Sequence, residues 1–238
     1  MLAETSQDVQ SGRLDQQIHW PCTAKSELVD FIAQELPLWR DDPDRPDKHA
    51  ENVLTEHLCD HLNGAAYHSS EWSHVQFRTE TVDETHGGRT IDLAVKPRGV
   101  SLFIEGRRHS QFDALFPIEC KRLPTPKEKD RDEREYVITE PGTTGGIQRF
   151  KFGHHGATHK FAAMIGYVQE QSFAHWLSQT NGWIGDLSAE SNSAWTESDS
   201  LRLVTNDSVA GVCTLESHHN RPDGLDMCQL RHVWIAMN

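Results

Sequence analysis

Cations are scarce in this sequence. Lys and Arg number 23 against 36 Asp and Glu, a formal net charge of −13, so the broad basic face that phosphate-binding proteins usually carry is missing. Long apolar runs are missing too. None approaches the roughly 20 residues needed to span a bilayer, which excludes a helical membrane protein. The opening Met1–Asp8 has neither the basic nor the apolar region of a secretory signal. The five cysteines are scattered, odd in number, and never in a Cys-x-x-Cys arrangement. That argues against a disulfide scaffold or zinc ribbon and predicts a reduced, cytoplasmic compartment with no membrane contact. No internal repeat occurs.

Acidic residues are absent from 141 to 169, where Arg149, Lys151, Lys160 and three histidines lie, and they concentrate at 41–47 and 186–199. Any basic footprint is therefore local. A chain this acidic is not expected to hold nucleic acid tightly by itself, which points to a partner protein subunit or a homo-oligomer. At 238 residues, 36% of them hydrophobic and 25% charged, the chain is ordinary globular material and long enough for one full core, so 1–238 is read as a single domain.

Residues 1–25 read as a loosely ordered lead-in. Apolar spacing predicts a helix over Ser26–Leu36, ended by Pro37. A second helix spans His49–Leu62, with Leu54, Leu58, Leu62 and Ala65 on one stripe. Glu51 faces the same way, while Glu56 falls on the far side. An inward acid needs a cation or a hydrogen-bonding network; equally, Glu51 in a first turn is favoured by the helix dipole. His57 and His61, spaced i, i+4, are a weak zinc signal.

Strands are predicted at Val75–Val82, Arg89–Val95, Ser101–Glu105, Phe116–Leu123 and Phe161–Val168. Helices are predicted near Ile147–Phe152, stopped by Gly153, and at Ser172–Asn181 behind an N-cap serine. Residues 186–200 form an acidic, serine-rich loop, and two strands, Leu201–Thr205 and Met227–Met237, close the chain. Gly153-His154-His155-Gly156 and His159 could form a lid or supply ligands, and Ser217–Arg221, with His218 and His219, could touch substrate; a polar surface loop is the plainer reading of each.

Two strands carry charge where a buried strand should not. Asp92 lies between Ile91 and Leu93, and Glu119 and Lys121 straddle Cys120 in Phe116-Pro-Ile-Glu-Cys-Lys. Side chains two apart share a face, so Glu119 and Lys121 project together. Two acids and a lysine at strand ends suit a hard divalent cation beside a cation for phosphate. Acids and a lysine pairing only with one another is the bland alternative.

Asp followed by Glu-x-Lys, behind a helix with an inward Glu, resembles the PD-(D/E)xK nuclease superfamily over roughly residues 49–170. Glu105-Gly-Arg107 has the same spacing, but arginine replaces the lysine. The resemblance implies a restriction-endonuclease-like αβββαβ core. Its mixed central sheet would be flanked by helices, with an extra strand between the Asp and Glu-x-Lys strands and further C-terminal strands. It also implies Mg²⁺ or Mn²⁺ held by Glu51, Asp92, Glu119 and the Cys120 carbonyl, with Lys121 at the attacking water. Gln148 would stand near the metal, and Arg149 and Lys151 would bind phosphate, with the glycine-preceded helix end adding a further phosphate site. The family's Gln-x-x-x-Tyr pattern is not met, because Phe152 stands where tyrosine would. The implied activity is phosphodiester hydrolysis, in DNA before RNA, in prokaryotic restriction or anti-phage defence beside an ATPase or sensor. An inactive scaffold subunit with the same fold is the alternative.

Overall fold

The computed structural model describes residues 17–237 except 48, 86 and 128–130; the predicted lead-in at 1–16 lies outside the described residues. In chain order the elements are β1 (Gln17–Trp20), α1 (Ala24–Arg40), α2 (Glu51–His68), β2 (Val75–Val82), β3 (Thr90–Pro97), β4 (Ser101–Ile104), β5 (Arg107–His109) and β6 (Phe116–Leu123). There follow α3 (Gly146–Lys151), β7 (Phe161–Val168), α4 (Phe173–Ala189), a 3₁₀ turn (Glu197–Asp199), β8 (Arg202–Asp207), β9 (Val212–His219) and β10 (Cys228–Ala236).

The main sheet is mixed and seven-stranded, in the order β2-β3-β6-β7-β10-β9-β8. β6, β7 and β10 run parallel and form its centre. β7 is an unbroken apolar run because both of its faces are covered. On one face Leu28, Ile32, Leu36, Leu54, Leu58 and Leu62 of α1 and α2 pack on Leu93, Ile118, Cys120 and Ile165. On the other, Ile147 and Phe150 of α3 and Trp176, Trp183 and Ile184 of α4 pack on Met164, Leu230 and Trp234. Among the described residues no helix is long and apolar enough to cross a membrane.

Four local expectations are corrected. Residues 17–25 are not a loose lead-in: β1 pairs in parallel with β4, and buried Trp20 donates Nε1–H to His74 Nε2 at 2.7 Å. The extra strand between β3 and β6 is really two, β4 and β5, which join β1 in a separate three-stranded sheet. Helix α1 runs through Pro37. A proline in the last turn loses one bond worth about 1 kcal/mol net, whereas burying Trp39, 2% exposed, gains about 3 kcal/mol. Arg40 then ties the helix end to the carbonyls of Ala210 and Ala236 at 3.0 and 3.2 Å. Finally, the stretch read as a polar loop around Ser217 includes the end of β9, where the Ser217 hydroxyl and the His219 imidazole point inward and find buried partners.

Gly145 shows why glycine stands at the N-cap of α3. A Cβ there would run into the backbone of Ile138. Gly145→Ala is therefore expected to lower stability by about 1–3 kcal/mol through overpacking, read as a lower Tm.

Candidate functional site

β3 and β6 pair only through Leu93↔Ile118, Ala94↔Pro117 and Val95↔Phe116. Beyond that point the ladder stops, and the Cys120 N–H donates instead to Asp92 Oδ2 at 2.8 Å. On the other side of β3 the register with β2 is unbroken, but the Glu80–Asp92 pair is missing from the ladder between Thr79↔Leu93 and Thr81↔Ile91. Glu80 stands opposite Asp92 without pairing to it, with φ of 46°, a left-handed conformation uncommon outside glycine. Asp92 thus sits where the sheet opens on both sides.

Alternation along β6 sends Cys120 into the core beneath α2 and turns Glu119 and Lys121 to the opposite face. Lys121 Nζ is 3.0 Å from Glu119 Oε1, 3.1 Å from Glu51 Oε1 and 3.7 Å from Asp92 Oδ2. It also donates to the Cys120 carbonyl at 3.0 Å. Glu51 is the first residue of α2, and its other oxygen accepts the Arg122 N–H at 3.0 Å. Both readings of Glu51 hold at once, since it occupies the first turn and reaches the cluster. Glu56 is exposed but lines the same cavity as Glu51 and Asp92, so it does not fall on the far side. The four side chains singled out in the sequence meet at one ammonium.

Glu119, with no exposed surface, has two further partners: an ion pair with Arg149 and a 3.3 Å contact with His155 Nδ1. The sequence marks His155 only as a candidate lid or ligand residue, with no hint of its contact to Glu119. His155 sits between Gly153 and Gly156, whose φ angles of 65° and 58° are left-handed. Three other segments fix this turn. Gly156 N–H donates to Asp83 Oδ2 at 2.9 Å, Arg89 to the His154 carbonyl at 3.2 Å, and Arg221 to the Gly156 carbonyl at 3.3 Å. The paired glycines were the available signal, but nothing local ties them to Glu119.

The electrostatics separate the two acids. Burial pushes Asp92 up, Glu119 adds repulsion, and its carboxyl rises to about 7 despite Lys121 and the Cys120 amide. Burial pushes Glu119 the same way, but Lys121, His155 and Arg149 outweigh it and hold it at about 2. Burial disfavours the Lys121 ammonium, yet Glu119, Asp92 and Glu51 together hold it well above the usual lysine range. With Asp92 ionised, three carboxylates face Lys121 and Arg149, and one negative charge is in excess. Glu51 and Asp92 open onto a cavity of about 250 Å³, walled also by Thr55, Thr79, Glu56 and Glu80.

Two expected residues are elsewhere. Gln148 caps its own helix: Oε1 accepts from Thr139 N–H and Gly145 N–H, each at 3.2 Å. Lys151 is fully buried, bound to Asp199 at 2.8 and 2.9 Å and to the Asn220 carbonyl at 3.1 Å, so it cannot meet a phosphate. The start of α3 offers no anion site either. The amides of Gly146, Ile147 and Gln148 donate to the carbonyls of Glu135, Tyr136 and Val137 at 2.9, 3.1 and 2.9 Å. The expected phosphate contact of Arg149 is replaced by its ion pair with Glu119.

No protein-family model, curated protein or solved structure matches this chain.

Among the described residues no three His, Cys, Asp or Glu side chains enclose a position for a metal ion. The reason is visible at the cluster, where the Lys121 ammonium stands among the carboxylates and on the Cys120 carbonyl. The donor chemistry nevertheless fits a hard divalent cation: oxygen ligands only, an uncompensated charge, and two of the acids facing an open cavity. The His57/His61 pair does not share this character, because His61 is engaged by Glu35 at 2.9 Å.

Proposed function

We propose that this chain is a metal-dependent nuclease of the PD-(D/E)xK type that hydrolyses phosphodiester bonds, in DNA before RNA. The observation that supports it is the convergence of Glu51, Asp92, Glu119 and Lys121 from one helix and two neighbouring strands. The run α2, β2, β3, β6, α3, β7 also follows the helix and strand order of a restriction-endonuclease-like core.

In this reading Glu51, Asp92 and Glu119 hold Mg²⁺ or Mn²⁺ with the Cys120 carbonyl, and a bound ion supplies an acidified water and offsets charge on the phosphate. Lys121 moves off the carboxylates and its ammonium faces the reacting phosphate, orienting the nucleophile or neutralising the developing charge. Arg149 and His155 keep Glu119 ionised and fixed. The acid walls of Glu56 and Glu80 repel a polyanion, so we assign DNA delivery to a partner subunit such as an ATPase or sensor, or to a second copy, in a prokaryotic restriction or anti-phage system.

Incubation of purified protein with plasmid and linear DNA in Mn²⁺, Mg²⁺ or EDTA tests this. Cutting that requires the metal is expected. Metal-independent cutting, or cutting that survives Lys121→Ala, contradicts it. The second reading, a scaffold subunit with this fold and no catalysis, is favoured by the cluster being closed around Lys121. It predicts no cutting under any of the three conditions while nucleic acid or a partner still binds.

A further inference from the structure

In a chain short of cations, a place where they gather without partners stands out. A cavity of about 350 Å³ lies among the first turn of α1, the β4–β5 hairpin and the start of β7, on another part of the fold from the acidic cluster. Lys25, Arg107, His109, His159 and Lys160 line it, and Glu105 is the one carboxylate on its wall. Lys160 pairs with Asp226 at 3.3 Å across an exposed surface. The side chains of Lys25, Arg107 and His159 make no hydrogen bond or ion pair among the described residues.

His109, 7% exposed, stands on the same wall. The groups around the cavity repel one another. Burial and then Lys25, Arg107 and His109 hold His159 down at about 4, and burial and Arg107 lower Lys25 although Glu105 opposes them. An anion in the cavity would relieve the repulsion between Lys25 and Arg107.

We propose that this cavity binds a phosphate-type anion, gripped by Lys25 and Arg107. Several cationic donors converging from three elements suit a group with three or more charged oxygens better than a carboxylate with two. The guanidinium of Arg107 matches two of those oxygens at once, and Ser26 and Thr158 stand on the same wall to hydrogen-bond a third. Leu115, which lines the cavity, precedes Glu119 by four residues, about 13 Å along an extended strand. The phosphate can therefore belong either to a free phosphorylated molecule or to a nucleic-acid strand. The inference does not rest on the nuclease reading.

Calorimetric titration in EDTA tests it with the acidic cluster metal-free, so that failure of the nuclease reading leaves the result unaffected. The probes are inorganic pyrophosphate and a short single-stranded oligodeoxynucleotide with and without a 5′-phosphate. Arg107 is exposed and Lys25 half-buried, so Lys25→Gln/Arg107→Gln is expected to fold, as an unchanged melting profile without anion would report. At least one probe should bind the wild type and weaken about tenfold or more in the double variant. Pyrophosphate binding marks a free phosphorylated ligand. Binding of the phosphorylated oligonucleotide alone marks a strand end, and equal binding of both oligonucleotides marks internal phosphodiesters. Absence of binding by all probes, or binding that the double variant leaves unchanged, overturns the proposal.

Discussion

Asp92→Asn is expected to yield a folded protein that is more stable than the wild type above neutral pH and that cuts DNA on the order of 10³-fold more slowly or not at all. The two effects have one origin. Asparagine keeps an oxygen to accept the Cys120 N–H and removes a charge that its surroundings disfavour. In the folded wild type this carboxyl titrates at about 7, against about 4 in an unfolded chain. The native state therefore binds the extra proton between those values, and stability falls as pH rises from about 4 to about 7. Asp92→Asn lacks that slope, so the two Tm-against-pH curves should diverge upward through this window and run parallel beyond it. Activity moves the opposite way because the disfavoured charge is the one a cation needs. A variant that lost stability and activity together would mean that Asp92 serves only to hold β6 in place.

Asp199→Ala should cost about 3–5 kcal/mol, the penalty for leaving a buried charge without its partner. Asp199 and Lys151 have no exposed surface. Asp199 Oδ1 also pairs with His219 Nδ1 at 2.7 Å, and the chain continues through Ser217 at 2.7 Å to His232 at 2.8 Å and to Tyr136 at 2.9 Å. Replacing both ends, as in Lys151→Met/Asp199→Leu, should recover most of the loss, since apolar pairs of similar volume often match buried ion pairs. The pH dependence follows from the same network. Burial opposes the Asp199 charge, but His219 and Lys151 outweigh it and hold the carboxyl below its usual range. That contribution is present above the ordinary carboxylate pKa and lost as pH falls below it. Burial holds His219 below the usual imidazole value although Asp199 pulls it up, so stability also falls as pH drops below about 6.5 and the unfolded chain takes up a proton. Chemical denaturation of the single and double variants at pH 5 and 8 measures both effects. A single-variant loss below about 1 kcal/mol would place Lys151 in water after all.

The sequence makes local period legible. β2, β6 and β7 have their expected bounds because alternation or an unbroken apolar run needs no knowledge of the neighbours, and Ser172 does cap α4, accepting the His175 N–H at 3.2 Å. Glu51, Asp92, Glu119 and Lys121 were visible as charges in apolar settings, and they do meet. What stayed hidden depends on contacts distant in the chain. β9 was obscured because Ser217 and His219 look solvent-loving until Asp199 and His232 are brought against them. Lys151 read as a phosphate ligand for the same reason. Arg149 was recognised as a local cation, but its partner, Glu119, is 30 residues away. In the β1-β4-β5 sheet β4 was legible, but β1 and β5 are too short for periodicity to register, and the cation-lined cavity draws on four separate stretches of chain.

The most direct test is whether the acidic cluster holds a divalent cation. Mn²⁺ binding to the purified protein, followed by electron paramagnetic resonance at pH 8, should show a site that Glu51→Gln/Asp92→Asn abolishes. Lys121→Ala should strengthen that site, because removing an ammonium 3.0–3.7 Å from three carboxylates frees them for the ion. No bound Mn²⁺ in the wild type, or binding that these substitutions leave unchanged, would contradict the account.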